Sequence, residues 1–521
     1  MIVRGVLRHG LLRVLVLVML VSLAGCSRQA PETSTTTQGY DWLQFNGDAQ
    51  HAGNNTLETT ISVDNVGSLK PVAGFPITLP NAADDAPVYL RAVNTASGVK
   101  DLLFVNTKGG DVMALDARKG ATVWSKQHPA GSCKVNHREP TCFTTSSPAI
   151  DPNHQYIYAY GLDGYVHKHQ VTDGTEITSG GWPELTTLKP YVEKGSSSLT
   201  IATVKNGTQY LYVANSGYPG DAGDYQGHLT TINLRTGTQY VFNANCSNQL
   251  NVHFKEPPAT PSCNTVQNAI WGRPGVVYDP DTDKLYMATG NGTYDPKTYN
   301  WGDSVIALHS DGTGNEGKPL DSYTPASYKY LDRTDEDLGS TTPAILPTPA
   351  NSKIQHLALQ SGKDAAIRLL NLDDLSSQGG LGHTGGEVGP VIGVPQGGKV
   401  VTEPAVWRNP SDNSTWAFVA NGEGLSALRL TIDGSGNPSL VTQWQNKTSG
   451  SSPLVANGVV YKAQSLWIRA FNAVTGTELW HTPSGAGHWS SPIVVNGVLY
   501  VGDKSNHLYA FAINGIVPAA R

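Results

Sequence analysis

The sequence predicts an all-β chain, an eight-bladed β-propeller of four-stranded antiparallel blades. Three observations carry this expectation. One unit recurs along the body: a Ser/Thr-Pro opening strand, a strand rich in Tyr and Val, a Gly turn, a strand ending Ala-x-Asp/Asn, a Thr-Gly turn and a strand ending in Trp. Counting opening strands gives eight units over residues 40–516, roughly sixty residues each, which is the size of a four-stranded propeller blade. Glycine (56) and proline (32) are abundant, as many short strands and tight turns require.

The N-terminus reads as an export signal. Arg4, Arg8 and Arg13 precede an apolar run from Val14 to Leu23, short for a membrane span. The run ends in Leu23-Ala24-Gly25-Cys26, which resembles a bacterial lipobox. That resemblance implies cleavage before Cys26 and lipidation of its sulfur. Residues 1–25 are thus expected to be a lipoprotein signal peptide and 26–40 a polar, flexible tether. The propeller is expected over 41–516, with a tail at 517–521. Ser27 after the cysteine resembles outer-membrane sorting, so the protein is expected on the periplasmic face of the outer membrane or at the cell surface.

Four cysteines remain in the body: Cys133, Cys142, Cys246 and Cys263. An even count in an exported chain reads as disulfides, with three connectivities open. The local pairs, Cys133–Cys142 and Cys246–Cys263, would each contribute roughly 2–3 kcal/mol in the loop-entropy model. No Cys-x-x-Cys-His occurs, so covalent haem is not expected. A net charge of −6 gives no basic footprint for nucleic acid.

Taken in order, the opening strands fall at Ala86-Pro87, Ser147-Pro148, near Leu199, and at Arg273-Pro274, Thr342-Pro343, Glu403-Pro404, Ser452-Pro453 and Ser491-Pro492. The clearest copies of the whole unit are residues 102–124, 451–480 and 490–515. A lone blade leaves both faces apolar, so the ring forms by stacking neighbours. Long excursions at 126–144, 214–228, 243–270, 290–303, 315–338 and 376–400 are where function is expected.

The stretch Trp271 to Asp303 is the densest in chemistry. Val276–Tyr278 and Leu285–Met287 read as a hairpin across the turn-forming DPDTD. Asp279, Asp281 and Asp283 lack the Gly and distal Glu of an EF-hand and are read as turn acids. The second strand runs into Thr289-Gly290-Asn291-Gly292. Trp271, Asn291 and Asp303 then offer a flat aromatic face, a neutral oxygen donor and a carboxylate.

This segment resembles the active-site blade of quinoprotein alcohol dehydrogenases, eight-bladed propellers that carry pyrroloquinoline quinone (PQQ) and calcium. The resemblance rests on a Trp-Gly, a Thr-Gly-Asn and a Gly-Asp in that order. It implies Trp271 as the floor beneath the quinone, Asn291 as a calcium ligand and Asp303 as the base taking the alcohol proton. Lys363, in Ser361-Gly362-Lys363-Asp364, fits the position of a cation touching the quinone oxygens. Ala114-x-Asp116…Trp124 and Ala470-x-Asn472…Trp480 resemble the tryptophan-docking motif of PQQ repeats, which makes Trp124 and Trp480 girdle residues. Ile61–Leu69 resembles the family's N-terminal lead-in and is expected to supply the outer strand of the last blade.

The chain also departs from that family. The loop Gly217–Gly227 lies where the family carries a Glu calcium ligand and an Arg beside the quinone. Here Asp221 or Asp224 stands in as oxygen donor, and Gln226 replaces the Arg without its charge. The family's adjacent cysteine pair is absent. Arg273 and Glu403 are expected to face the channel. His167 and His169 share a strand face, but two histidines without a third ligand are weak for zinc. Two functional readings follow. One is a PQQ- and calcium-dependent alcohol or sugar oxidoreductase that passes electrons to a separate acceptor. The other is a cofactor-free propeller, similar to the outer-membrane barrel-assembly lipoprotein, whose rim binds protein partners at the membrane.

Overall fold

Just after each expected opening residue an innermost strand begins, at Val88, Ala149, Thr200, Val276, Ala344, Ala405, Leu454 and Ile493. Proline suits this place because its missing N–H costs nothing where a strand starts. The computed structural model describes residues 39–519 apart from 132–140, 465, 486 and 488. The signal run, Cys26 and Cys133 lie outside the described residues. Eight small antiparallel sheets follow one another along the chain as the blades of a propeller. The fourth, typical of the set, comprises Val276–Asp279, Lys284–Ala288, Val305–His309 and Asp321–Tyr323.

Blade strands are apolar on both sides because each sheet is sandwiched between two others. Leu102, Leu103, Phe104 and Val105 are consecutive and all fully buried. Leu103 and Val105 join a core shared with the eighth blade, whereas Leu102 and Phe104 join one shared with the second. Tryptophans clip neighbouring blades together. The Trp124 indole donates to Val171 O of the second blade and lies against Gly174 of its Asp-Gly turn. Trp444 does the same with Ala473 O and Gly476. Trp480 donates to Leu69 O, so the expected girdle role of Trp124 and Trp480 holds.

The ring is closed by both ends of the chain. Leu69–Pro71 forms the outer strand of the eighth blade, with Leu69 opposite Ile513 and Pro71 opposite Phe511. The lead-in segment therefore closes the last blade as expected.

Residues 42–55, which show no repeat pattern, lie across the inner edges of the blades and plug one end of the central channel. Trp42 exchanges two backbone hydrogen bonds with Tyr89 in the first blade (2.9 and 2.7 Å). Leu43 O accepts from Ile150 N, Ala49 O from Tyr278 N, Ala52 O from Val406 N and Gly53 O from Val455 N. The Gln44 side chain bonds both backbone groups of Ile201, and Asn55 Nδ2 donates to Val494 O. Seven of the eight innermost strands thus have their free inner edges satisfied by one segment.

The hairpin acids serve the turn as expected: Asp279 accepts from Asp281 N and from both Thr282 donors. Cys246 and Cys263 form a disulfide. Among the described residues no helix is long and apolar enough to cross a membrane. The one α-helix among them, Tyr328–Thr334, sits in the excursion 315–338.

Candidate functional site

Opposite the plug the channel opens into a cavity of about 390 Å³, within the range of a cofactor site. A column of rings and cations leads up to it. Phe45 of the plug underlies the Arg273 guanidinium at 5.0 Å, and Arg273 lies 5.5 Å from the Trp489 ring. Trp489 meets Trp271 edge to face at 5.9 Å, and Lys363 Nζ stands 5.2 Å from the Trp271 centroid. Arg273 is fully buried and donates to Thr145 O at 2.7 Å. Burial pulls its pKa down to about 10, against the pull of Asp84 and Asp85. Glu403 is also buried at the axis. Its Oε2 accepts from Thr342 N, and burial raises it well above the usual carboxylate range.

Trp271, Asn291, Asp221 and Lys363 all line this one cavity. The turn Thr289–Gly292 places Asn291. Gly290 N donates to Ala269 O, and Asn291 O accepts from Asn268 N. Positive φ falls on Gly292, not on the asparagine. Gly290 is required for close approach: a Cβ there would lie 2.5 Å from Asp337 Oδ1 and 3.3 Å from Trp271 Nε1. Asp221 accepts from Tyr225 OH at 2.6 Å and from Asn291 Nδ2 at 3.4 Å.

The acid that the sequence reading missed is Asp337. The short helix ends at Asp335 in left-handed conformation, and the chain then turns so that both Asp335 and Asp337 face the cavity. Asp337 Oδ1 accepts from Asn291 N at 2.6 Å, and its Oδ2 pairs with Lys363 Nζ at 2.5 Å. Asp335 takes the same ammonium at 2.7 Å. Lys363 N donates to Asp337 O, and Gln360 Nε2 to Leu338 O, which straps this segment to the fifth blade. Burial raises Asp337 above the usual carboxylate range against the pull of Lys363. Burial works the other way on Lys363, but the two acids outweigh it and hold its pKa high. The signal in the sequence was an Asp-Glu-Asp run, residues 335–337, in a long excursion.

The other expected residues stand behind the lining. Asp303 does not line the cavity. It is buried, with Oδ1 accepting from Leu338 N at 3.0 Å and Oδ2 without a hydrogen-bond partner. Its place is therefore under the Asp337 segment, supporting that backbone. Gln226 is fully buried, donates to Cys263 O and Thr265 O, and bonds Lys189. Asp224 is turned toward Lys189 as well. Lys189 in turn pairs with buried Glu193 at 3.2 Å, so this group is a closed ionic cluster beside the site. At the far end of the cavity Lys108 and Lys194 lie over the Phe143 ring at 4.3 and 4.0 Å, near Tyr218. Cys142 is buried with Phe143 and Tyr218.

Burial pushes Asp303 up to about 8, and the nearby charge of Asp337 adds to this. The native state therefore holds a proton that the unfolded state releases near its ordinary carboxylate pKa. Stability falls as pH rises from about 4 toward 8. Asp303→Asn is expected to remove that slope. Melting temperatures of the variant and wild type, compared between pH 5 and 8.5, should diverge in favour of the variant at the alkaline end. Parallel curves would mean that Asp303 is ionised throughout.

Comparison with known proteins bears on the fold and the family. A family model described as PQQ, glucose/ethanol/alcohol dehydrogenase, beta-propeller domain, matches residues 42–317, more than half of the chain. The structure is similar to quinohemoprotein alcohol dehydrogenase ADHIIG of Pseudomonas putida HK5, with a TM-score of 0.61 and 15% identity over 92% of this chain and 82% of that one. A europium-containing methanol dehydrogenase aligns with a TM-score of 0.61 and 16% identity, over 91% and 98%. Quinohemoprotein alcohol dehydrogenase of Comamonas testosteroni aligns at 0.60 and 16%, over 92% and 82%. No curated protein sequence matches the chain. At these identities the structural likeness speaks to fold, and the family model speaks to descent: the chain belongs to the PQQ β-propeller family of glucose, ethanol and alcohol dehydrogenases.

Proposed function

We propose that the cavity binds PQQ with a hard multivalent cation and that the loaded protein oxidises an alcohol or sugar hydroxyl. The observation that carries this is the convergence of Trp271, Lys363, Asn291 and Asp337 on one end of the axis. The donor set fits. Four carboxylates (Asp84, Asp221, Asp335, Asp337) and an amide share one cavity, which suits a hard cation. The glycine at position 290 opens the cradle between Asp337 and Trp271.

When bound, the quinone would supply the hydride acceptor. Everything else falls to the side chains. Trp271 offers a flat face for stacking. Lys363 stands over that face and would donate to a carbonyl oxygen, with Asp335 and Asp337 fixing its position. Burial raises Asp337 against the pull of Lys363, and in its ionised form this carboxylate would be the base that takes a hydroxyl proton. Lys108 and Lys194, with Thr145 and Ser196, form a polar end suited to carboxylate groups. Electrons would leave to a separate acceptor. We propose too that the chain is exported and held at a membrane by lipid on Cys26.

A second reading, a cofactor-free binding propeller with protein partners on its rim, has one observation in its favour. Lys363 already has two acidic partners, so its ammonium is neutralised without a guest. One titration separates the two readings. Protein from residue 27 onward is titrated with PQQ in the presence of Ca²⁺ or Eu³⁺, following quinone absorbance, Trp fluorescence and Eu³⁺ luminescence. Saturable binding that needs the cation and is lost in Trp271→Ala is expected. No binding at high micromolar PQQ with either cation would leave the binding propeller.

A further inference from the structure

A second cluster of metal-ligating side chains lies away from the axis, where the first blade meets the second. His128 follows the first blade's outer strand, Thr122–Gln127. Asp163, His167, His169 and Glu176 belong to the second blade, the two histidines on the strand Tyr165–Gln170. We propose that this junction binds one divalent transition-metal ion, zinc by preference, through His128, Asp163 and His167.

The geometry supports the donor set. One ligand atom from each of these three residues lies within 4.8 Å of the others. His167 Nε2 stands 3.1 and 3.2 Å from the two Asp163 oxygens. Two donors each about 2.0–2.1 Å from a tetrahedral zinc stand roughly 3.3 Å apart, so this spacing is that of one edge of such a site. The backing is also in place. His167 Nδ1 bonds Glu176 Oε1 at 2.6 Å, which leaves Nε2 as the metal-facing nitrogen. Carboxylate-backed histidines of this kind are a recurrent feature of metal sites. His169 Nδ1 bonds Gly174 O at 3.1 Å and so holds its proton there. The proton between His169 Nε2 and His128 Nε2, 2.9 Å apart, therefore belongs to His128, and His128 Nδ1 is the bare nitrogen.

Space is kept as well. At Gly161 a Cβ would lie 2.6 Å from Asp163 Oδ1 and 2.7 Å from His167 Nε2. Imidazole with carboxylate favours zinc, copper or nickel over calcium or magnesium. The ring of His128 stacks on that of His167, with centroids 3.4 Å apart and planes at 14°. Two stacked rings cannot both aim a lone pair at one ion, so binding tilts His128 out of the stack and displaces the proton held between His167 and Asp163. Because His128 comes from one blade and the other two ligands from the next, the ion would clamp the two together.

The test uses the full chain from residue 27 onward, stripped with a chelator and titrated with Co²⁺ and then Zn²⁺. One saturable Co²⁺ per chain is expected, with a visible d–d band, displaced by Zn²⁺ and accompanied by a higher melting temperature. Asp163→Asn and His128→Phe should each weaken Co²⁺ binding by at least the roughly 10–100-fold that loss of an outer-shell partner costs. The phenylalanine keeps a flat ring on His167 while removing the nitrogen, so it guards against a variant that merely misfolds. Absence of the band, or Co²⁺ binding that is equal in wild type and both variants, would overturn the proposal and leave His167 as an imidazolium clamped between Asp163 and Glu176.

Discussion

Asp337→Asn is expected to lower turnover of the PQQ-loaded protein by about 10²–10⁴-fold, the usual contribution of a general base, while quinone and cation still bind. The substitution is nearly isosteric. An amide oxygen at position 337 still accepts from Asn291 N, and Lys363 keeps Asp335 as a partner. What is lost is a buried carboxylate that lines the cavity and pairs with Lys363, the cation over the Trp271 face. Asp335→Asn is the control: its carboxylate is mostly exposed, and its loss should cost far less. Steady-state rates with a dye acceptor, alongside the quinone titration, separate a chemical defect from a binding defect. If Asp303→Asn abolishes turnover and Asp337→Asn does not, the proton goes to the buried acid behind the lining, by a route through Leu338.

That outcome matters because the two acids mark the boundary of what the sequence could tell. The Trp-Gly, Thr-Gly-Asn and Gly-Asp signature was legible, and Trp271 and Asn291 do meet at the cavity with Lys363 from the next blade. Position along the chain could not say which way Asp303 points. Its backbone φ of 44° and its bond from Leu338 N turn it beneath the site. Asp337 was invisible for the opposite reason: its partners, Asn291 and Lys363, are distant in sequence and meet it only when the fourth and fifth blades stack. The histidine pair shows the same limit. His167 and His169 were read together on one strand, but the third imidazole, His128, comes from the neighbouring blade. The blades themselves were legible because each repeats local chemistry: a proline where a strand opens, Gly where it turns, Trp where it meets its neighbour. The plug was not, because it has no period of its own and is defined by the edges it covers.

Removing the plug is expected to be the most damaging change outside the cavity. A chain that begins at residue 57 keeps the closing strand Leu69–Pro71 and the strands of all eight blades except the short Asn54–Asn55 addition to the seventh. It loses the segment that bonds seven innermost strands. Water entering the channel can replace many of those hydrogen bonds, so their net worth is modest, about 0.5–1.5 kcal/mol each. It cannot replace the burial of Trp42 and Phe45, which are 5% and 0% exposed. Nor can it support Arg273, a buried cation whose lower face rests on the Phe45 ring. With Phe45 gone, Arg273 is free to drop away from Trp489, and the column beneath Trp271 loses its base. The truncated chain should therefore aggregate or melt far below the chain that begins at residue 39, as judged by size-exclusion chromatography and thermal denaturation. Phe45→Ala in the intact chain isolates the apolar share, with an expected cost of about 3–5 kcal/mol. It should also weaken PQQ binding, although residue 45 lies one cation and two rings away from Lys363. A truncated protein that melts with the intact one and binds quinone equally would show that stacking of the blades alone holds the ring and its site together.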